Sequence, residues 1–441
     1  MDFALEIRSA ESNPEELERL YQAARKKGLS GDFKQALLQA YEAAPENLLF
    51  AAWFFRFREI GEAAKPRRSV NWPAAIPLSI LTGLIFWALS DFDNLTLLDG
   101  VPQLLLWWSP IAAMSALVFM ALTARDNYRR AAALGLGLLA ITAYAVFIVP
   151  AFARPRIMDQ LVVLAMIHIP LLCWAALGVS VLGFKSSPAD RFAFLKKSVE
   201  VIIVAGLYLI AGVAFGGITM GMFAALSIDL PDIWLRLIAA GGIGLLPVLA
   251  VATVYDPSLP PSEQDFEQGL SQFIATMMRL LLPLTLAVMV IYIFVIPFFF
   301  FEPYENRDVL IVYNLMLFAI VGLLLGATPL RGDDLSSALQ KWLRYGIITV
   351  AVLAVLISIY ALSATAFRTF EGGLTPNRMT IVGWNIINIG ILILLIYRQF
   401  RDGGEGWISS LQSVFSRGAS AYLVWGLFLL LALPVVFLLT P

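Results

Sequence analysis

The sequence predicts an all-α fold, a polytopic helical membrane protein with about eleven transmembrane helices and a small N-terminal cytosolic helical cap. Three observations carry this reading. Of 441 residues, 59% are hydrophobic and 14% charged, with mean hydropathy +0.79, whereas soluble domains carry about 25% charged residues. Apolar runs long enough to cross a core of roughly 30 Å at 1.5 Å per residue recur along the chain. Charge is also segregated: residues 1–70 hold 11 acidic and 11 basic side chains of the 63 in the whole chain. The expected division is a cap over 1–70 and a membrane domain over 71–441.

The composition excludes several classes. A net charge of −1 gives no footprint for nucleic acid. The single cysteine, Cys173, lies in an apolar run, and with one histidine in the chain no Cys/His zinc cluster can form. No metal and no cofactor are expected. The first 47 residues are polar and read without a cleavable leader.

In the cap, Asn13-Pro14-Glu15-Glu16 is a helix start, with Asn at the N-cap and Pro at N1. Leu17, Leu20, Tyr21 and Ala24 form its stripe, and Gly28 ends it. Gly31-Asp32 opens a second helix bearing Phe33, Ala36, Leu37, Ala40 and Tyr41. Pro45-Glu46-Asn47 breaks it, and a third helix from Leu48 carries Trp53, Phe57 and Ile60. The stretch Gly31–Asn47 resembles the second half of a tetratricopeptide repeat, in one copy and with Pro45 about three residues early. A plain helical hairpin is the favoured alternative, and either form makes residues 1–70 a candidate docking surface for a protein partner.

Apolar spans are predicted at 72–90, 102–123, 131–153, 158–183, 199–225, 233–254, 280–301, 308–330, 345–366, 379–397 and 420–439. Counting Lys and Arg in alternate connections gives seventeen on one side and six on the other. By the positive-inside rule the N-terminus is cytoplasmic and the C-terminus outside. Four connections on the basic side begin with a polar start and an amphipathic stretch: from Ser187, from Ser262, from Asp333 and around Trp407. Asp190, Asp265, Asp333 and Asp402 fall about 70 residues apart, which reads either as a degenerate hairpin repeat or as the ordinary need of entering helices for an amphipathic approach. Such approaches are expected to lie in the headgroup plane.

The run Phe266 to Pro297, with its Arg279-Leu-Leu-Leu-Pro283 core, and Gly373-Leu374-Thr375-Pro376-Asn377-Arg378 resemble a family of uncharacterised bacterial inner-membrane proteins, a domain of unknown function. The resemblance covers roughly residues 70–440 and implies a multi-pass protein of the bacterial inner (plasma) membrane. It transfers no catalytic or binding residue.

Candidate sites follow from polar residues at membrane depth. His168 lies mid-span near Pro170; Asn385 and Asn388 share one helix face at i, i+3; Asn314 lies near the outer end of its span. Together they could line a cavity, although helix-to-helix packing is the favoured reading. Gly206, Gly212, Gly216, Gly217 and Gly221 crowd one span and Gly322/Gly326 another, read as close packing, with a hinge or broken helix at a substrate site as the alternative. Arg154, Arg156, Arg236, Arg307 and Arg378 each come after a proline in external loops. They either form an anion-attracting outer rim or anchor helix ends by snorkelling.

No catalytic pattern assembles. Gly178-Val179-Ser180 faintly resembles the rhomboid-protease nucleophile motif, but His168 sits on the same helix about 18 Å away. Tyr255-Asp256 resembles one motif of intramembrane aspartyl proteases, and the matching Gly-x-Gly-Asp is absent. The sequence therefore favours a non-enzymatic scaffold or partner-binding membrane protein, with a transporter or lipid- and anion-handling permease as the alternative.

Overall fold

A computed structural model of the chain describes residues 3–26, 30–63, 70–97, 100–183, 185–266, 269–330, 335–402 and 406–439. It divides into two compact units, Met1–Ser69 and Val70–Pro441. The chain is 85% helical with almost no strand.

The first unit holds α1 (Phe3–Ser9), α2 (Pro14–Lys26), α3 (Ser30–Ala43) and α4 (Leu48–Ala63). Asn13 caps α2 as its side chain predicts, its Oδ1 accepting from the Glu16 amide at 3.2 Å. Asn47 does the same for α4, accepting from the Leu49 and Phe50 amides, while its Nδ2 donates to the Glu11 carbonyl and ties the two turns together. Phe33 is fully buried at the centre, ringed by Phe3, Tyr21 and Trp53. Helix α1 was not anticipated: its seven residues make about two turns, too few to show a period that could be read. Gly28 and the side chains of Phe57 and Ile60 lie outside the described residues.

In the second unit, eleven helices are long and apolar enough to cross a membrane. They are α5 (Trp72–Leu89), α6 (Gln103–Ala124), α7 (Tyr128–Phe152), α8 (Pro155–Leu182), α9 (Pro188–Ala225), α10 (Asp232–Val254), α11 (Gly269–Phe299), α12 (Arg307–Ala327), α13 (Ser337–Gly372), α14 (Pro376–Arg401) and α15 (Trp407–Leu438). This chain is an integral membrane protein. Hydrogen bonds between the loops mark two faces. On one, the Ser262 amide donates to Asp190, Ser416 to the Pro188 carbonyl and Gln412 to the Leu330 carbonyl. On the other, Trp87 donates to the Ile233 carbonyl and Arg368 to the Glu305 carbonyl. The first, which carries most of the lysines and arginines, is called the basic face below.

The spans gather round two apolar cores. Helices α5 to α8 and α10 enclose Phe119, Ile169, Val248 and Ala252, with Leu430 of α15. Helices α11 to α15 enclose Leu282, Leu317, Leu324, Leu343, Leu392 and Leu411, with Phe192 of α9. Helices α5 and α10 cross backbone to backbone. A Cβ on Gly244 would stand 2.7 Å from the Gly83 Cα, and one on Gly83 would stand 2.7 Å from the Gly241 carbonyl oxygen. Helices α7 and α15 each carry a π-helical turn, Tyr144–Ile148 and Phe428–Ala432, just before Pro150 and Pro434. A proline ring displaces the carbonyl four residues back, and the wider turn absorbs it.

Three expectations are corrected. The amphipathic approaches are not separate in-plane helices: those from Ser187, Ser337 and Trp407 run unbroken into their spans, so α9 has 38 residues and α13 has 36, while Asp333 and Asp334 lie outside the described residues. No helix breaker separates approach from span at these three, and part of the apolar surface meets protein, although Leu339 and Trp342 of α13, and Leu270 and Phe273 of α11, stay exposed. Phe192, Leu343, Leu411 and Phe415 are all buried, with the Phe192 and Phe415 rings 6.2 Å apart. The proposed aspartate repeat does not place equivalent residues either. Asp190 sits in the first turn of α9, whereas Asp402 caps the end of α14 and pairs with Arg398 and Arg401; Asp333 lies outside the described residues. Finally, the glycines of α9 make little close packing within the chain. A Cβ on Gly206, Gly212, Gly217 or Gly221 would meet nothing within 4 Å, and only Gly216 approaches a neighbour, Ile238. The half of α9 away from the basic face is largely exposed, as Val213, Phe215, Ile218 and Met222 show, with Gly216 alone buried.

Candidate functional site

Two polar constellations stand out in the membrane unit. The first lies on the seam between the two cores, where α8, α12, α14 and α15 meet. His168 is 2% exposed. Its Nδ1 is 2.7 Å from the Leu164 carbonyl, which can only accept, so Nδ1 carries the proton. Nε2 then accepts from Trp384 Nε1 at 3.0 Å, and the two rings stack with centroids 5.9 Å apart. Trp384 in turn meets Phe318 and Tyr422 edge-on. The Tyr422 hydroxyl donates to Asn388 Oδ1. One turn away, Asn385 Nδ2 donates to Asn314 Oδ1 and to the Ile381 carbonyl, both at 3.0 Å. Asn314 Nδ2 donates to the Leu310 carbonyl at 2.7 Å.

The four residues singled out for a cavity are therefore brought to one seam, but they are packed rather than open. Asn385 and Asn388 are 0% and 1% exposed. Two of their atoms, Asn385 Oδ1 and Asn388 Nδ2, are buried without a hydrogen-bond partner. Trp384 and Tyr422 were not foreseen as members. Aromatic residues are common in apolar spans, and only their pairing across helices distinguishes them. Substituting Trp384 with Phe keeps the stacked ring and deletes the indole donor. It is expected to destabilise the unit by about 1 kcal/mol by orphaning His168 Nε2. Thermal unfolding in detergent checks this; an unchanged midpoint would show that the imidazole has another partner.

The second constellation lies between α9 and α11 at the basic face. Lys197 Nζ pairs with Glu200 Oε2 at 2.7 Å, and both side chains are 4% exposed. The ammonium also donates to Ser271 Oγ at 3.0 Å and to the Asp265 carbonyl, and stands 4.4 Å from the Phe266 ring centroid. Ser271 donates to the same Glu200 oxygen at 2.7 Å. Next door, buried Lys196 donates to the Thr328 carbonyl at the end of α12. The charge count assigns both lysines to a connection on the basic side, ahead of the span at 199–225. The structure instead buries them, because the approach helix on which they lie is covered by α11 and α12. The i, i+3 spacing of Lys197 and Glu200 was the available signal.

Of the five arginines proposed for an outer rim, Arg236 and Arg378 are engaged locally. Arg236 pairs with Asp91 at 3.1 Å. Burial pushes the Asp91 carboxyl up, but hydrogen bonds from Asn94 and the Arg236 charge outweigh this and hold it below the usual carboxylate range. Arg378 folds back to donate to the Gly373 carbonyl at 2.6 Å, within its own helix start. Arg154 is exposed at the N-cap of α8. The side chains of Arg156 and Arg307 lie outside the described residues. No hydrogen bond or ion pair joins two of these arginines among the described residues.

Two cavities open near the basic face, and neither is lined by the seam residues. One, of about 290 Å³, lies among Asp126, Lys185, Tyr255 and Pro260. The other, of about 220 Å³, lies between α8, α9 and α15. Among the described residues, no three His, Cys, Asp or Glu side chains converge as metal ligands would. Comparison with protein-family models, with curated proteins and with solved structures finds no match.

Proposed function

We propose that this integral membrane protein is a non-enzymatic scaffold of the bacterial inner membrane, working by binding partners rather than by moving a solute. The observation that supports this reading is how the polar side chains at the seam are used. His168 is matched to Trp384, Asn385 to Asn314 and Asn388 to Tyr422, inside a collar of aromatic rings. Polar groups spent on one another fix helix positions and leave little to bind a passing solute. On the charge bias of the loops, the basic face and the N-terminal cap are cytoplasmic and the C-terminus is outside. The cap then offers its surface to soluble partners.

The alternative, a permease, is favoured by one feature: the unmatched buried atoms Asn385 Oδ1 and Asn388 Nδ2. Thiol accessibility separates the two. In a Cys173→Ser background, single cysteines replace His168, Asn314, Asn385 and Asn388, and intact membranes meet a small water-soluble maleimide. The scaffold reading expects no labelling at any of the four while loop controls react. Labelling at Asn385 and Asn388 would establish an aqueous path and reverse the choice.

A further inference from the structure

The cavity of about 220 Å³ between α8, α9 and α15 has two unlike ends. Away from the loops it is walled by Trp174, Gly178, Phe194 and Leu423, all apolar. A Cβ on Gly178 would fall 2.9 Å from the Phe194 ring, so the glycine keeps this ring seated against α8. Towards the basic face the walls become Gly183, Ser186, Arg191 and Ser416. Because Ser416 and Leu423 lie on one helix seven residues apart, the cleft runs along the membrane normal for about 10 Å.

Arg191 lines its polar end and Arg130 stands beside it against Gly183, both anchored on neutral acceptors. Arg191 donates through Nε to Ser186 Oγ and through Nη2 to the Ser186 carbonyl, each at 3.0 Å. Arg130 donates through Nη1 to the Ser180 carbonyl at 3.2 Å and lies against Gly183. Neither has a carboxylate partner among the described residues. The nearby Asp190 carboxylate is taken up by Ser187 and the Ser262 amide. A guanidinium fork with free N–H groups and no counter-ion, at headgroup level above an apolar slot, matches a phosphodiester carrying an acyl chain.

We propose that this cleft is a binding site for one anionic phospholipid, with its phosphate held by Arg130 and Arg191 and an acyl chain lying against Trp174, Phe194 and Leu423. This goes beyond the scaffold reading and does not depend on it. The lipid enters sideways from the bilayer, since Val179, Ser420 and Leu423 at the edge of the slot are at least partly exposed.

The full chain, in mixed micelles with equimolar phosphatidylglycerol and phosphatidylcholine of identical acyl chains, is examined by native mass spectrometry. Wild type is expected to retain phosphatidylglycerol in preference. Arg130→Gln and Arg191→Gln should each reduce that preference about fivefold, and Arg154→Gln, exposed on the opposite face, should leave it unchanged. Ser420→Trp fills the slot from an exposed position that the fold tolerates, and should lower retention of both lipids. Equal retention of the two lipids by wild type would overturn the proposal. So would an equal loss in Arg154→Gln, or undiminished retention in Ser420→Trp, which would place the lipid on the surface. Displacement by millimolar inorganic phosphate would assign the arginines to a free anion instead.

Discussion

Glu200→Ala is expected to lower the unfolding free energy of the membrane unit by about 3–5 kcal/mol, because it strands a buried ammonium. Lys197 has no route to solvent: its side chain is 4% exposed, enclosed by Ser271, the Asp265 carbonyl and the face of Phe266. Among the described residues the remaining acceptors, Ser271 and the Asp265 carbonyl, are neutral and offset only part of the lost ion pair. The sharper expectation concerns the double variant. Lys197→Met with Glu200→Ala removes both charges and puts an apolar chain of similar length in place of the lysine stem. It should recover most of the loss. The measurement is a double-mutant cycle on thermal or denaturant unfolding in a fixed detergent. If the double variant is as unstable as the sum of the singles, the two groups do not act as a pair, and the constellation between α9 and α11 must be held by something else.

Gly244→Ala should cost about 2–3 kcal/mol, near the upper end for overpacking. The new Cβ would stand 2.7 Å from the Gly83 Cα and 3.0 Å from the Phe86 Cβ, and a backbone atom has no rotamer through which to retreat. Helices α5 and α10 would have to separate along their whole crossing. Gly212→Ala provides the comparison. Nothing lies within 4 Å of its Cβ, so the change should stay within about 0.5 kcal/mol. Equal losses at the two positions would show that α9 packs more tightly than its exposure indicates.

These two sites show what could and could not be read from the chain. All eleven spans are legible, most to within a few residues, because twenty consecutive apolar side chains have few other uses in water. The starts of α9, α11, α13 and α15 are not, since an amphipathic approach looks the same whether its apolar face meets lipid or protein. Small-residue spacing names glycines that could allow close approach, but not the face that receives a partner. Gly212/Gly216 fits the motif and is largely open, while Gly83 and Gly244 are the true contact. His168, Asn385 and Asn388 were visible as polar residues in apolar runs. Their partners were not: Trp384 is 216 residues from His168, and only the fold brings them together.

The joining of approach and span in α9 has a mechanical side. Its 38 residues give a rod of about 57 Å, longer than the roughly 40–45 Å of a bilayer with its headgroups. No proline interrupts the rod after its first turn, and the helix is continuous through its glycines. One end is fixed in the basic-face packing through Phe192 and Lys197, while the other projects among acyl chains. A thinner membrane is therefore met by leaning rather than by shortening, and the lean is referred to the anchored end.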